Sequence, residues 1–301
     1  MRVVVALGGN ALLRRGEPLD AEVQRANVRV AAEAVAGVAA AHQVVVTHGN
    51  GPQVGLLALQ NVAYDAVAPY PLDVLDAETE GMVGYLLEQE LGRYLPRERL
   101  ATLLTQVVVD TRDLAFTHPT KFVGPVYDVA EACRMTDEWG WAVARDGDAW
   151  RRVVPSPEPI QIVELSTIRL LVDQGITVIC SGGGGIPVAA DGHGGLHGVE
   201  AVIDKDRAAE LLARGLDADA LLLLTDVDGV YEGYGTDRAR RLSTVTVDEV
   251  RAIDPPAGSM GPKVDAVCRF VEHGGRLGAI GALADATAIL AGEAGTIVTA
   301  D

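Results

Sequence analysis

Three lysines are the residues of this chain best suited to chemistry. Lys121, Lys205 and Lys263 are the only lysines among 25 basic residues; the other 22 are arginines. A chain that uses arginine almost everywhere keeps lysine where a compact, movable ammonium serves and a broad planar guanidinium does not. None of the three lies on the outer face of a long amphipathic helix. Lys121 sits in "HPTKFVGP", and Lys263 in "AGSMGPKVD" after a glycine-rich stretch. Lys205 stands between Asp204 and Asp206 at the start of "KDRAAELLARGL". An aspartate beside a lysine keeps the amine charged and orients it. Point charges of this kind suit a crowded site that neutralises a phosphoryl group in transfer. The competing reading is that three lysines remain by chance, and composition alone does not dispose of it.

A second set of candidates is made of glycine. "LGGNAL" (7–12), "HGNGPQVG" (48–55) and "SGGGGIPV" (181–188) each follow an apolar run. Glycine lets backbone N–H groups converge on an anion, and a following helix adds its positive N-terminus. For any one loop, a simple chain reversal is the favoured reading. Three loops at the same end of successive parallel strands point to a ligand edge, because open α/β sheets bind there. Neither GxxxxGK[ST] nor GxGxxG is present, which excludes a P-loop and disfavours a dinucleotide dehydrogenase.

Other polar groups carry weaker signals. His48 opens the second glycine loop, and orienting that loop is its favoured role. His193 and His197 in "DGHGGLHG" have metal-ligand spacing only on a helix, and the glycines predict a loop instead. Arg151 and Arg152 could attract an anion or alternate out into solvent. "DAETEG" (76–81) reads as the acidic first turn of a helix. Cys133, Cys180 and Cys268 have no ligand spacing, and each is expected to be a small buried apolar residue.

These residues need elements to position them. "RVVVALGG" and "QVVVTHGNGPQVG" read as strands running into glycine loops. "DAEVQRANVRVAAEAVAGVAAAH" (20–42) reads as a helix capped by Asp20. "LDAETEGMVGYLLEQELGRYL" (75–95) reads as helix and "ATLLTQVVVD" (101–110) as strand. Strands too apolar to face water on either side belong to a parallel sheet covered by helices. The rhythm breaks between about 111 and 155, where "WGWAVARDGDAWRRVVPS" predicts two strands around a "DGD" turn. This is read as a small protruding subdomain. The α/β rhythm then returns through "IQIVELSTIRLLVDQG" (helix), "ITVICSGGGGIPV" (strand and loop), "ADALLLLTDVDGVY" (strand and acidic loop), "MGPKVDAVCRFVEHGG" (helix) and "GTIVTA" (strand).

The totals agree with this reading. A length of 301 residues with 49% hydrophobic content suffices for one large α/β domain or two packed lobes. A net charge of −17 argues against a broad surface for nucleic acid or an anionic membrane. The start "MRVVVALGG" reads directly as a strand and no 18-residue apolar run occurs, so a cytoplasmic protein is expected.

The motifs taken together resemble the carbamate kinases of the amino acid kinase superfamily. The resemblance runs from residue 3 to the C-terminus through "VVALGGNALL", "VVTHGNGPQVG", "YPLDVLDAETEGMVGYLLEQEL", "PTKFVGPVY", "VEAVIDKDRAAELL", "LLLLTDVDGVY" and "GSMGPKVDA". It departs at Phe122-Val123, where the pattern has Pro-Ile, and at Asp76, where it has Gly. The resemblance implies a three-layer α/β/α sandwich around a mainly parallel sheet. It implies a single domain of two lobes: an acceptor lobe over about 1–155 and a nucleotide lobe over about 156–301. It also implies a homodimer and a reversible phosphoryl transfer between ATP and carbamate, running toward ATP in arginine breakdown.

By that resemblance, Gly8, Gly9, Asn10, Gly49, Asn50 and Gly51 would supply donors to the phosphoryl group and the carbamate. Lys121 would reach in from the subdomain, and Lys205 would contact the transferring group. Asp206 would hold the lysines, and Lys263 would contact nucleotide phosphates. Thr225, Asp226, Val227, Tyr231, Gly258, Ser259, Met260 and Gly261 would line adenine and ribose. Carbamate is already an anion with a nucleophilic oxygen, so positioning and charge neutralisation carry the burden. Mg²⁺ would arrive with ATP or ADP and need few protein ligands, and no His or Cys is expected to be catalytic. Two alternatives stand beside this: a kinase of the same fold with another small acceptor, and a nucleotide-binding regulator without catalysis.

Overall fold

The computed structural model describes residues 1–14, 16–64, 66–253 and 260–300, with the backbone alone at Asn10 and Ala11. The chain begins β1 (Arg2–Leu7), α1 (Gly9–Leu12), α2 (Ala21–Ala39), β2 (Gln43–His48), α3 (Gly51–Ala63), α4 (Leu72–Leu91), β3 (Leu100–Thr102) and β4 (Gln106–Val108). Next come β5 (Lys121–Tyr127), α5 (Val129–Trp139), β6 (Val143–Asp146) and β7 (Ala149–Val154). The middle holds β8 (Gln161–Ile162), α6 (Leu165–Asp173), β9 (Thr177–Ile179), β10 (Ile186–Ala190), β11 (Leu196–Gly198), α7 (Lys205–Gly215) and β12 (Ala220–Thr225). The chain ends with β13 (Tyr231–Glu232), β14 (Arg240–Arg241), β15 (Thr244–Thr246), α8 (Val247–Ala252), α9 (Met260–Glu272), β16 (Leu277–Ala282), α10 (Ala286–Leu290) and β17 (Thr296–Thr299).

The central sheet has the order β15-β17-β16-β12-β1-β2-β9-β3. Every pair in it is parallel except β16 with β17. Side chains alternate across a strand, and here both faces are apolar. Val3, Val5 and Leu7 of β1 pack in one layer with Val28, Ala31 and Val35 of α2 and Val83, Leu87 and Leu91 of α4. Val4 and Ala6 pack in the other with Ala208 and Leu212 of α7 and Val267 and Val271 of α9. The continuous apolar run of β1 is therefore the direct cause of a helix–sheet–helix sandwich.

Strand order reverses at β1, which has β2 on one side and β12 on the other. The crevice over the C-terminal ends of β1 and β12 is thus a topological switch point, where open sheets take ligands. β9 follows residue 155 in the chain, yet it lies between β2 and β3.

Three segments differ from the sequence expectation. "ATLLTQVVVD" is not one strand: β3 closes the main sheet, while β4 joins a second sheet of order β11-β10-β4-β8. "IQIVELSTIRLLVDQG" opens as β8 before α6 begins. The 111–155 segment contains a helix as well as its strands. α5 starts on a reciprocal Asp128–Glu131 capping box and stops at Gly140 with φ 67°. β5, β7 and β6 form a separate antiparallel sheet, and Gly147 (φ 66°) makes the turn between β6 and β7.

Candidate functional site

The three lysines meet at the N-terminus of α7. Asp204 caps that helix: its Oδ1 accepts from the backbone N–H of Asp206 at 3.0 Å and of Arg207 at 3.4 Å. Its other oxygen accepts from Lys121 Nζ at 3.0 Å. Asp206, one residue inside the helix, bridges the other two lysines. Lys205 Nζ donates to Asp206 Oδ1 at 2.5 Å, and Lys263 Nζ to Asp206 Oδ2 at 3.0 Å. Residues from β5, α7 and α9 are thereby gathered within two carboxylates of one another. Three ammonium groups face two carboxylates, and the helix N-terminus adds its own partial positive charge. The cluster concentrates positive charge in a chain whose net charge is −17.

Sharing one carboxylate, the two inner lysines are pushed apart. Burial lowers the Lys205 pKa and the Lys263 charge adds to this, against the pull of Asp206. Burial also opposes the charge on Lys263, but Asp206 outweighs it and raises that pKa. Burial likewise works against ionised Asp204, yet Lys121 and Lys205 hold its carboxyl below the usual range.

The glycine loops after β1 and β2 close on this cluster. Gly8 N–H donates to the Leu224 carbonyl at 2.8 Å, and Gly49 N–H to the Leu7 carbonyl at 3.0 Å. A Cβ at Gly49 would stand 3.1 Å from Gly9 N and 3.5 Å from Lys205 Cδ, so the loops and the lysine stem touch. Among the described residues, a Cβ at Gly9 or Gly51 would meet nothing within 4 Å, which marks the open side of the loops. The Asn50 carboxamide is held by α4. Its Nδ2 donates to Asp76 Oδ1 and to Thr79 Oγ1, each at 2.9 Å.

The third loop packs as a brace beneath the second. Gly182, Gly183 and Gly184 are buried, and a Cβ at Gly183 (φ 69°) would lie 2.2 Å from Asn50 Nδ2. Glu80 holds this turn: Oε1 accepts from Gly182 N–H at 2.8 Å and Oε2 from Thr105 N–H at 3.0 Å. Burial raises the Glu80 pKa to about 8, more than these bonds lower it. Glu80→Ala would orphan two buried N–H groups at about 1–3 kcal/mol each. Unfolding calorimetry should show a loss of about 3 kcal/mol, and an unchanged melting temperature would contradict the brace.

"DAETEG" is not a first turn, because α4 starts at Leu72. Asp76, Thr79 and Glu80 lie one helical turn apart on a buried face instead of in solvent. His48 is fully buried, and its Nδ1 lies 3.1 Å from the Gly49 carbonyl. Burial lowers its pKa to about 4, so the ring is a neutral support of the loop.

His193 and His197 fall on the β10–β11 hairpin, with His193 N–H donating to Asp191. Arg151 donates to the Gly124 carbonyl at 2.8 Å, and Arg152 stacks 3.8 Å from the Trp141 ring centroid. Cys180 and Cys268 are buried, but Cys133 is exposed on α5, because the missed helix turns that position outward.

On the other side of the switch point, Thr225 ends β12 and donates to Asp226 at 3.0 Å. Tyr231 donates to Asp228 at 2.8 Å. Val227 is half-buried between them, and Met260 and Gly261 begin α9. Gly258, Ser259 and the side chain of Asn10 lie outside the described residues. Among the described residues no helix is long and apolar enough to cross a membrane. None of their His, Cys, Asp and Glu side chains form a group of three able to hold a metal.

Residues 1–281 match the amino acid kinase family. The chain is 57% identical to a carbamate kinase of Rhizobium meliloti (strain 1021), over 99% of this chain and 93% of that protein. It is 51% identical to a carbamate kinase of Haemophilus influenzae, over 99% and 97% of the two chains. Among solved structures, the carbamate kinase from Giardia lamblia bound to AMP-PNP superposes with a TM-score of 0.90 at 40% identity. That match covers 100% of this chain and 98% of the other.

Proposed function

The chain belongs to the amino acid kinase family, within its carbamate kinases, and we propose that the Lys121–Lys205–Lys263 cluster carries its phosphoryl transfer. The reaction is ATP + carbamate ⇌ ADP + carbamoyl phosphate. The observation that supports this placement is the convergence of all three lysines on Asp204 and Asp206 at the start of α7. In the ATP-forming direction, a terminal phosphate oxygen of ADP attacks the phosphorus of carbamoyl phosphate. The bond from phosphorus to the carbamoyl oxygen breaks, and carbamate leaves as an anion. No proton has to move, so the protein supplies alignment and positive charge.

In this reading the backbone of residues 8–10 and 49–51 positions the acceptor. Lys205 follows the transferring group from one oxygen to the other. Lys121 covers the acceptor side, and Lys263 the nucleotide phosphates. Asp206 sets the spacing of the two inner amines. Nucleotide contacts are assigned to Thr225, Asp226, Val227, Tyr231, Gly258, Ser259, Met260 and Gly261.

Mg²⁺ fits as part of the nucleotide complex, where it would neutralise phosphate oxygens. Each carboxylate of the cluster is already engaged by lysine, so the phosphates and water would supply most of its ligands. The acceptor lobe over about 1–155, the nucleotide lobe over about 156–301, the homodimer, the cytoplasmic location and the ATP-forming role in arginine breakdown belong to the same reading.

The acceptor is tested in the opposite direction. Ammonium and bicarbonate form carbamate spontaneously at alkaline pH. ADP release from MgATP is expected with that mixture and at least about 100-fold slower with acetate, which has carbamate's size but lacks its N–H donors, or with glutamate, which is larger. Equal rates with acetate would assign a different acceptor.

A further inference from the structure

Asp76 has no part in the transfer described above, yet it lies one hydrogen bond from the acceptor loop. It is 1% exposed in the second turn of α4. Its Oδ1 and Thr79 Oγ1 both accept from the Asn50 amide, and Thr79 Oγ1 donates to the Asp76 carbonyl at 3.0 Å. These bonds form a closed clasp under residues 49–51. Among the described residues, Asp76 Oδ2 is buried without a hydrogen-bond partner. A buried carboxylate ordinarily needs bonds to both oxygens, and here one is bonded.

The charges around Asp76 point the same way. Asp73 and Glu80 on α4 oppose its ionisation, and Lys121 from β5 favours it. The loop after β2 presents the neutral His48 ring and the Asn50 amide. Burial is the largest influence and raises the Asp76 carboxyl well above its ordinary range, against the Asn50 bond. The lysine cluster has one positive charge in excess over Asp204 and Asp206. A third carboxylate facing Lys121 would cancel that excess and repel an arriving anion.

We propose that Asp76 acts through Asn50 as a positioning residue for the acceptor anion, and that it does so as the neutral acid. The proposal rests on the carbamate kinase reading. As pH rises and Asp76 loses its proton, Lys121 gains a competing partner and the cradle loses affinity for anions. The KM for carbamoyl phosphate should therefore climb with pH, while kcat and the KM for ADP move little.

The test is initial-rate ATP formation from about pH 6 to about pH 9 with the unmodified chain, Asp76→Asn and Asp76→Ala. Asparagine keeps an acceptor for Asn50 and cannot ionise, so its KM should match the low-pH value and stay flat. Alanine removes one of the two bonds that hold the Asn50 amide, so its KM should be about tenfold higher at every pH, the size of one lost buried hydrogen bond. A pH-dependent KM that persists in Asp76→Asn, or an unchanged KM in Asp76→Ala, overturns the proposal. Infrared difference spectra of the unmodified chain against Asp76→Asn read the protonation without turnover. A carboxylic-acid carbonyl band is expected at neutral pH, and its absence overturns the neutral acid. A band without any ATP formation would keep the clasp, remove the carbamate kinase reading and, with it, the acceptor role.

Discussion

Lys205→Met should lower the rate of ATP formation by at least about 1,000-fold, the scale on which a cation at a transferring phosphoryl group acts. The fold should survive. Met fills most of the volume, and Asp206 keeps its 3.0 Å bond to Lys263 as a balanced buried pair. ADP affinity, read by calorimetry, should change little, because the nucleotide phosphates are assigned to Lys263. Lys205→Arg keeps the charge and should not restore the rate. The Lys205 stem runs beside Gly49, where even a Cβ would stand 3.5 Å away, and a planar fork does not follow that path. A near-normal rate in either variant would remove Lys205 from the chemistry.

Asp206→Asn should have the opposite balance, with stability falling along with activity. The substitution leaves the ammonium groups of Lys205 and Lys263 buried without the carboxylate that both contact. Breaking a buried pair from one side costs about 3–5 kcal/mol, a large share of the net stability of a folded chain. Burial works against the charge on both lysines, and without the Asp206 carboxylate it should draw both folded-state pKa values below the ordinary lysine value, so the folded state should bind fewer protons than the unfolded one. Stability should then rise as pH rises toward that value. Excess ADP should recover part of the loss, since its phosphates replace the missing negative charge. A melting temperature equal to that of the unmodified chain, flat in pH, would show that Asp206 does not hold the lysines.

Much of this site was legible before the fold. A bias against lysine makes each remaining one visible, and the acidic neighbours of Lys205 announced its partner. The glycine loops after β1 and β2 follow unbroken apolar strands, so their place at one sheet edge could be read directly. Asp204 was harder. One of its oxygens makes a local helix cap, but the other reaches Lys121, 83 residues away in sequence, and spacing carries no trace of that.

α4 misled for a related reason. It packs on both sides, so its carboxylates carry no amphipathic signature, and a start at residue 75 makes "DAETEG" read as an acidic first turn. Placing the start at Leu72, just after Pro71, would have set Asp76 and Glu80 in the second and third turns. α5 was hidden by the glycines and prolines around it, although Asp128 and Glu131 already had capping-box spacing. In "ATLLTQVVVD" the apolar run continues through a change of sheet, which hydrophobicity alone does not register.

The most direct test of the account is ATP formation from ADP and carbamoyl phosphate with Mg²⁺, coupled to hexokinase. Rapid ATP production by the unmodified chain is the predicted result. A chain that binds ADP and yields no ATP would contradict the assignment of the lysine cluster to phosphoryl transfer with carbamate.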